Sequence, residues 1–557
     1  MIHLVVPSDA RAARNLEAVA QARYGDDLSR LTLYGIALDP ASERDLQEFE
    51  HTPEPLLDSW VAHRKLMAAT SPGDTVVMSD WRGLGGVFAL TQWSLPEDRR
   101  RTVVTVAADS ACLTMLHVAG TIDDLPMPLA SQIDWEVTQY TWSHEVLTPS
   151  PLALDLLAGI GVEHGSLVAP EPEASSPVTG SSLVWAPDPV SRRSRTGDVL
   201  RAVTSVPGAQ AVVSTVDEDD GVWTGTTWDA LRHVRAVLDS RVSRGDAPDR
   251  PSVIVIGDPF SVPDPEVSRM VAEGVPVVVP AGSAAAERWP GAPAWSDSDG
   301  VAAALQGETK ASPARQERPA SHRSPSPGRA SRISVGIPVF RDVRFLAECL
   351  DSVLAQEAEP AEIVIVDDGS ESPEVDSALE EAARRDPRVK VIRAEHRGVC
   401  VARNAALEAM TGDAFLFVDS DDVLDPAFLA RCREMLRSDD RLMAVATWTR
   451  FFGAYEGIEA KPPFDARVGA RENPIVSTAA LVDMRARDLG IRFAPELAFL
   501  YCEDWHLWSQ IVAAGGRFGL VPEPLVGHRV HPSSGGFLRT ELAQAIGRAR
   551  ATAPLRR

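Results

Sequence analysis

Short apolar runs alternate with stretches of helical spacing along the whole chain. Leu4-Val-Val is a strand candidate, and Ala12 to Arg23 reads as a helix. Leu31-Thr-Leu-Tyr-Gly-Ile-Ala-Leu, Thr75-Val-Val-Met and Thr102-Val-Val-Thr-Val are further strands, and Val146-Leu-Thr-Pro-Ser150 leads into a helix over Leu152 to Ala158. The theme repeats with Ser182-Leu-Val-Trp, Gln210-Ala-Val-Val, Ser252-Val-Ile-Val-Ile and Val275-Pro-Val-Val-Val. A third block opens on Ile333-Ser-Val-Gly-Ile-Pro338. Val343 to Gln356 then places Phe345/Leu346, Cys349/Leu350 and Val353/Leu354 on one helical face. Continuous apolar runs suit parallel strands buried on both faces. Their alternation with helices predicts βαβ units and an α/β fold. No short solenoid repeat is visible.

Two breaks divide the pattern. Residues 308–331 are rich in Ser, Pro, Ala and Arg with almost no large apolar residue, the composition of a disordered linker. A weaker break falls at Pro170 to Ser182. The expected domains are therefore 1–169, 182–307 and 332–557. A chain of 557 residues has room for them. Its formal charge of −24 argues against nucleic acid as the main partner and against a membrane surface held by charge alone. Cys112, Cys349, Cys400, Cys432 and Cys502 are scattered without zinc-ligand or CxxC spacing, which fits a reduced cytoplasmic setting. Neither a signal peptide nor a membrane span is expected. Contact with the membrane's inner face would be peripheral at most.

The candidate chemistry lies in acidic clusters of the last block. Glu362-Ile-Val-Ile-Val-Asp367-Asp368-Gly369-Ser370 and Ala414-Phe-Leu-Phe-Val-Asp419-Ser420-Asp421-Asp422 are strands ending in carboxylates, and Tyr501-Cys-Glu503-Asp504-Trp505 follows. Ligands of open α/β sheets bind beyond the carboxyl ends of the strands. Carboxylates gathered there repel unless a cation lies between them. Asp419 and Asp421 would share a side if the extended geometry continued. Such oxygens suit Mg²⁺ or Mn²⁺ shared with substrate phosphates. The plainer alternatives are a solvated turn capping a helix near Pro426, ordinary Asp-Gly turn chemistry at 367–370, and a helix N-terminus that favours acids at 503–504. Against that last alternative, Glu503 and Asp504 among aromatics could have the raised pKa of a general base.

In order and spacing, the block from Ile333 onward resembles family 2 glycosyltransferases of the GT-A fold. The matching pieces are Ser334-Val-Gly-Ile-Pro338, Ile365-Val-Asp-Asp-Gly-Ser370, Gly398-Val-Cys-Val-Ala-Arg-Asn404, Phe417-Val-Asp-Ser-Asp-Asp422, Glu503-Asp504-Trp505-His-Leu-Trp508 and His528-Arg-Val-His-Pro-Ser533. By this resemblance, Pro338, Val339, Phe340 and Asp368 contact the nucleotide base, and Arg403 the nucleotide or diphosphate. Asp419, Ser420 and Asp421 form the DxD motif on ribose and metal, and His531 lies near metal and diphosphate. Asp504 is the expected catalytic base, with Glu503 the fallback. The implied reaction is inverting transfer from a nucleotide-diphosphate sugar, UDP foremost, to a glycan or lipid-linked glycan with Mn²⁺ or Mg²⁺. The family often has Asn after the aromatic of its first motif, whereas Arg341 follows Phe340 here. His396 reads as an exposed loop residue, and Arg397 as a possible phosphate contact.

The first two blocks together resemble a GT-B glycosyltransferase of family 4 type, with two Rossmann-like domains. Ser79-Asp-Trp-Arg-Gly-Leu-Gly-Gly86, Val146-Leu-Thr-Pro-Ser-Pro151 and Gly274-Val-Pro-Val-Val-Val279 carry that likeness. Gly83, Gly85 and Gly86 could admit a sugar or phosphate close to the backbone, or could simply make a tight turn. The usual donor-site glutamates are not matched: Arg269 stands at one position, and Asp258 and Arg195 fit only loosely. Trp81, Trp135 and Trp142 could stack on sugars or lie in the core. The main expectation is two transferase modules on one chain serving surface-polysaccharide synthesis. The alternative is one active GT-A module with a non-catalytic acceptor-binding or scaffold half.

Overall fold

The computed structural model describes residues 1–7, 10–25, 28–33, 38–49, 54–108, 110–119, 122, 125, 127–168, 183–187, 196–213, 241–244, 248–257, 265–296, 298–306, 328–475, 477–500, 502–531 and 552–556. The expected break at Pro170–Ser182 and most of the expected linker fall outside them, as do Asp258, Arg195 and Tyr501. The chain forms two compact units. One contains residues 1–36, 69–86 and 101–321, the other 37–68, 87–100 and 322–557.

The first unit holds two parallel sheets. Strands β1 (Ile2–Val5), β2 (Ser29–Leu31), β3 (Thr75–Ser79), β4 (Thr102–Val106), β5 (Glu145–Thr148) and β6 (Gly165–Leu167) stand in the order β2-β1-β3-β4-β5-β6. Strands β7 (Leu183–Ala186), β8 (Gln210–Val213), β9 (Val242–Arg244), β10 (Val253–Val255), β11 (Val277–Pro280) and β12 (Ala294–Trp295) follow the order β12-β11-β10-β7-β8-β9. Period-2 alternation splits the second sheet's apolar residues between two cores. Val184, Ala186, Val253 and Val255 face one, and Trp185, Ile254 and Ile256 the other. These are Rossmann-like α/β sheets covered on both faces. The strand expected over Leu31–Leu38 is described only as Ser29–Leu31, and residues 34–37 lie outside the described set.

The glycine-rich turn after β3 packs inward. Gly83 has φ +67, and a Cβ there would lie 2.6 Å from the Trp135 carbonyl carbon. The Gly85 N–H donates to Gln139 Oε1 at 2.9 Å. Trp135 and Trp142 are core residues. Arg269 sits exposed on the helix Pro265–Ala272, paired with Glu273 at 2.7 Å.

The second unit is built on one mixed sheet. Its strands are β13 (Ile333–Val339), β14 (Glu362–Asp367), β15 (Val389–Arg393), β16 (Ala414–Phe417), β17 (Val423–Leu424), β18 (Leu442–Gly453), β19 (Gly457–Glu459), β20 (Leu481–Asp483) and β21 (Arg517–Val530). The order is β15-β14-β13-β16-β20-β18-β21-β17, with β19 paired to β18. The first four run parallel, so β13, β14 and β16 end at one rim. β20 is antiparallel to both its neighbours, whereas β18 and β21 pair in parallel.

Order begins before the expected boundary at residue 332. Arg329 donates to Asp483 Oδ2 at 2.6 Å and to the carbonyls of Leu436, Asp439 and Leu442. One half-buried guanidinium thus anchors the end of a segment whose composition predicts disorder. The helices Pro40–Glu48 and Glu54–Ala69 supply most of residues 37–68 in this unit. Phe49, between them, packs edge-on against Trp60 and Trp448 with ring centroids 5.1 and 5.7 Å away, and Glu48 pairs with Arg450. All five cysteines are free and buried. Among the described residues no helix is long and apolar enough to cross a membrane.

Candidate active site

The site grows from the shared rim of β13, β14 and β16. After β14 the chain turns at Asp367-Asp368-Gly369-Ser370. Gly369 has φ +71, and a Cβ there would lie 2.6 Å from the His396 nitrogen, so only glycine fits. This close approach lets Asp368 accept from the Arg397 and Gly398 N–H groups at 2.9 and 3.0 Å and from His396 Nδ1 at 2.8 Å. The carboxylate therefore holds the loop that opens the helix Val399–Ala409.

His396 is not a bystander of that loop. Its ring stacks on Phe340 at 4.1 Å with the planes 5° apart. Arg341 lies on Phe340 too, its guanidinium carbon 4.8 Å from the ring centroid. Arg341 adopts φ 60, a left-handed conformation that Asn tolerates and that costs other residues about 1 kcal/mol. That accounts physically for the family's frequent Asn at this position. Pro338, Phe340 and Asp368 thus gather at one corner, while the Val339 side chain faces the core.

The DxD segment does not stay extended. β16 ends at Phe417, and the Asp422 N–H donates to the Asp419 carbonyl at 3.0 Å, closing a turn. Asp419 and Asp421 therefore leave in different directions, contrary to the shared side expected for a continued strand. Asp419 Oδ1 accepts from Arg403 at 2.6 Å. Asp421 Oδ2 accepts from His531 Nε2 at 2.9 Å. Ser420 lies part-exposed between them. The helix Phe428–Ser438 starts at Ala427 without a side-chain cap, and Asp425 Oδ1 accepts from the Ala427 N–H at 2.9 Å in the turn before it.

Arg403 is 3% exposed and charge-balanced on two sides. Its other arm donates to Glu503 Oε1 at 2.9 Å. Burial works against its charge, but Asp419 and Glu503 outweigh burial and hold the proton firmly. Glu503 and Asp504 open the helix Glu503–Ala513, where the helix dipole favours acids. Asp504 Oδ2 accepts from Asn473 Nδ2 at 3.1 Å, and Oδ1 from the Trp505 N–H at 2.6 Å. Burial, and next the charge of Glu503, push its carboxyl up to about 7. This is the protonation range a general base needs.

Two supporting residues have no role in the motif reading. Asp422 is fully buried and accepts from His528 Nδ1, the Arg529 N–H and Ser477 Oγ at 3.1, 3.1 and 3.2 Å. Burial raises its carboxyl, and that carboxyl in turn raises His528. Asp422 was visible in the sequence as the last acid of its cluster. Asn473 carried no signal, because it lies 31 residues from Asp504 in an irregular segment.

Among the described residues no group of three or more His, Cys, Asp or Glu is arranged to hold a metal ion. Asp421 supplies the carboxylate that a magnesium-like ion takes, with His531 bonded beside it. Such ions keep several waters and take one or two carboxylates plus substrate phosphates. The side chains of Asp421 and His531 are 32% and 13% exposed, so the donors are reachable from solvent.

Residues 334–492 match the family model described as Glycosyl transferase family 2. The chain therefore contains a domain of that family. Glycosyltransferase GlyA of Streptococcus pneumoniae is 36% identical over 98 residues, 18% of this chain and 14% of that protein. Chondroitin synthase of Escherichia coli is 31% identical over 122 residues, 22% of this chain and 18% of the other. The chain spans about a third or less of the length of the first curated relatives it matches. Two solved structures overlap at 21% identity with a TM-score of 0.31. One is the mannosyltransferase PcManGT of Pyrobaculum calidifontis with GDP-Man and Mn2+, covering 38% of this chain and 61% of that one. The other is residues 1–349 of S. aureus TarS with UDP-GlcNAc, covering 36% and 60%. Overlaps of that size say nothing about this chain's own donor.

Proposed function

We propose that the second unit is an inverting glycosyltransferase that uses a nucleotide-diphosphate sugar, UDP-linked foremost, and a glycan or lipid-linked glycan acceptor. The observation that carries this reading is the line of contacts from Asp419 through Arg403 to Glu503, which sets the DxD turn beside the expected base. Asp504 takes the proton of the acceptor hydroxyl. The oxygen's electron pair forms the new bond to the anomeric carbon from the side opposite the diphosphate. The old carbon–oxygen bond breaks, its electrons staying on the leaving diphosphate, and the configuration inverts. Phe340 and His396 supply the aromatic surface for the base, with Pro338 and Asp368 at the same corner. Asp421 and His531 would hold Mn²⁺ or Mg²⁺, which when bound supplies charge neutralisation at the diphosphate. The likeness to chondroitin synthase supports a place in polysaccharide assembly.

The first unit is read as a GT-B-type module that hands a glycan to the second, a passage that linkage on one chain favours. Two observations favour the second reading, a non-catalytic acceptor-binding or scaffold role. Arg269 replaces an expected donor-site acid and is tied to Glu273. The N–H groups that open the helix Ala111–Ala119, after β4, could receive an anion. There the Cys112 N–H instead donates to Glu136 at 2.7 Å.

The test is turnover of labelled UDP-glucose, UDP-GlcNAc and GDP-mannose by the full chain and by its Asp504→Asn variant. Release of nucleoside diphosphate that Asp504→Asn abolishes supports the reading. Turnover in that variant close to the wild-type rate points to Glu503 as the base or to activity in the first unit. No turnover or binding of any nucleotide sugar overturns both.

A further inference from the structure

We infer that Arg403 is a positioning residue: it ties the DxD turn to the first turn of the helix that carries Asp504, and does not itself touch the donor. The inference rests on the transferase reading above and changes what this arginine does within it.

Three observations point the same way. The side chain of Arg403 is 4% exposed, so little of it is available to a ligand. Both terminal nitrogens are engaged, one with Asp419 at 2.6 Å and one with Glu503 at 2.9 Å. Its guanidinium carbon lies 5.3 Å from the centroid of the Phe493 ring, which borders it on another side. The planar fork of Arg suits such two-ended bridging, and a lysine ammonium reproduces at most one end well.

The bridge joins residues that the chain keeps far apart. Glu503 is 100 positions from Arg403, and Asp419 is 16. Glu503 has no other described partner: its Oε2 is buried and unbonded. Without Arg403 a buried carboxylate would stand alone, a strongly unfavourable state. The first helical turn would shift to bring water to Glu503, and Asp504 is the next residue. A small misplacement of a base is enough to slow transfer steeply. Donor affinity, set at Phe340, His396 and Asp421, should change little.

The experiment measures nucleoside diphosphate release from UDP-GlcNAc and GDP-mannose by the full chain with Arg403→Met, Arg403→Lys and Glu503→Gln. Expected is a fall in kcat of roughly 100-fold for Arg403→Met, with the donor KM within about threefold. Arg403→Lys should recover part of kcat. Glu503→Gln should lower kcat without raising KM. A tenfold rise in KM with kcat preserved would overturn the inference and make Arg403 a donor contact, as would an unchanged kcat in Glu503→Gln. Thermal unfolding decides separately from activity. Arg403→Met/Glu503→Gln should unfold at a higher temperature than Arg403→Met, because the stranded charge is gone. Simple additivity of the two losses overturns the bridge. If the wild-type chain turns over no donor, the transferase reading fails while this cycle still tests the link.

Discussion

Asn473 Nδ2 lies 3.1 Å from Asp504 Oδ2, so an irregular segment fixes one oxygen of the expected base. The contact favours the ionised carboxylate. Replacing Asn473 with Ala should raise the acid limb of the pH–rate profile and lower kcat by about tenfold. Steady-state rates between pH 5 and 9 check both.

The raised carboxyl of Asp504 sets the sign of two pH effects. As a base it must be deprotonated, so kcat should fall as pH drops through about 7. For folding the sign is opposite. A carboxyl whose folded pKa exceeds its unfolded value stabilises the fold below about pH 4, and that contribution is lost as pH rises through the folded value. Asp504→Asn should lose transfer by roughly 1,000-fold. It should also unfold at a higher temperature than the wild type at pH 8, with the advantage smaller at pH 5. A thermal scan at the two values reads this.

Asp421 and His531 should account for cation dependence. EDTA should stop nucleotide-sugar turnover, and Mn²⁺ or Mg²⁺ should restore it. In Asp421→Asn, calorimetric titration of UDP should give the same weak binding with or without Mn²⁺. Binding that stays Mn²⁺-dependent in this variant would remove Asp421 from the donor set.

Asp422 should matter for stability. Its carboxylate serves three donors from two distant segments, and nothing replaces it in Asp422→Ala. A loss of about 3 kcal/mol is expected from breaking a buried charged pair. Urea denaturation of the full chain measures it.

The stack of Phe340 and His396 should form part of the nucleotide platform. Phe340→Ala should weaken UDP binding by roughly tenfold, in line with aromatic pairs worth about 1 kcal/mol beyond their buried area. His396→Ala should weaken it less, since Phe340 remains.

The strands were readable because parallel strands buried on both faces are written as unbroken Val and Ile. The acids of the rim were readable because they end those strands abruptly. Pairwise geometry was not readable. Asp419 and Asp421 part company through a turn that depends on one backbone hydrogen bond, invisible in residue types. His396 is an exposed loop histidine as expected, but its contacts with Phe340 and Asp368 were not readable, because those residues follow other strands. Arg329 sits in a Ser-Pro-Arg stretch that composition assigns to a linker, and its anchors lie over a hundred positions away. The Arg403 motif reads as a nucleotide or diphosphate contact, and its two ion-pair partners, Asp419 and Glu503, are set by tertiary structure that the motif does not encode.

The salt bridge of Glu48 with Arg450 closes a loop of 402 residues. During synthesis at about 5–20 residues per second, Phe49, packed on Trp60, must wait some tens of seconds for Trp448 to emerge. A nascent chain carries these aromatics unsatisfied through that interval, a natural substrate for a holding chaperone. Cutting the gene at the apparent linker would separate the two ends for good. Each fragment would then expose an apolar face that the intact polypeptide conceals.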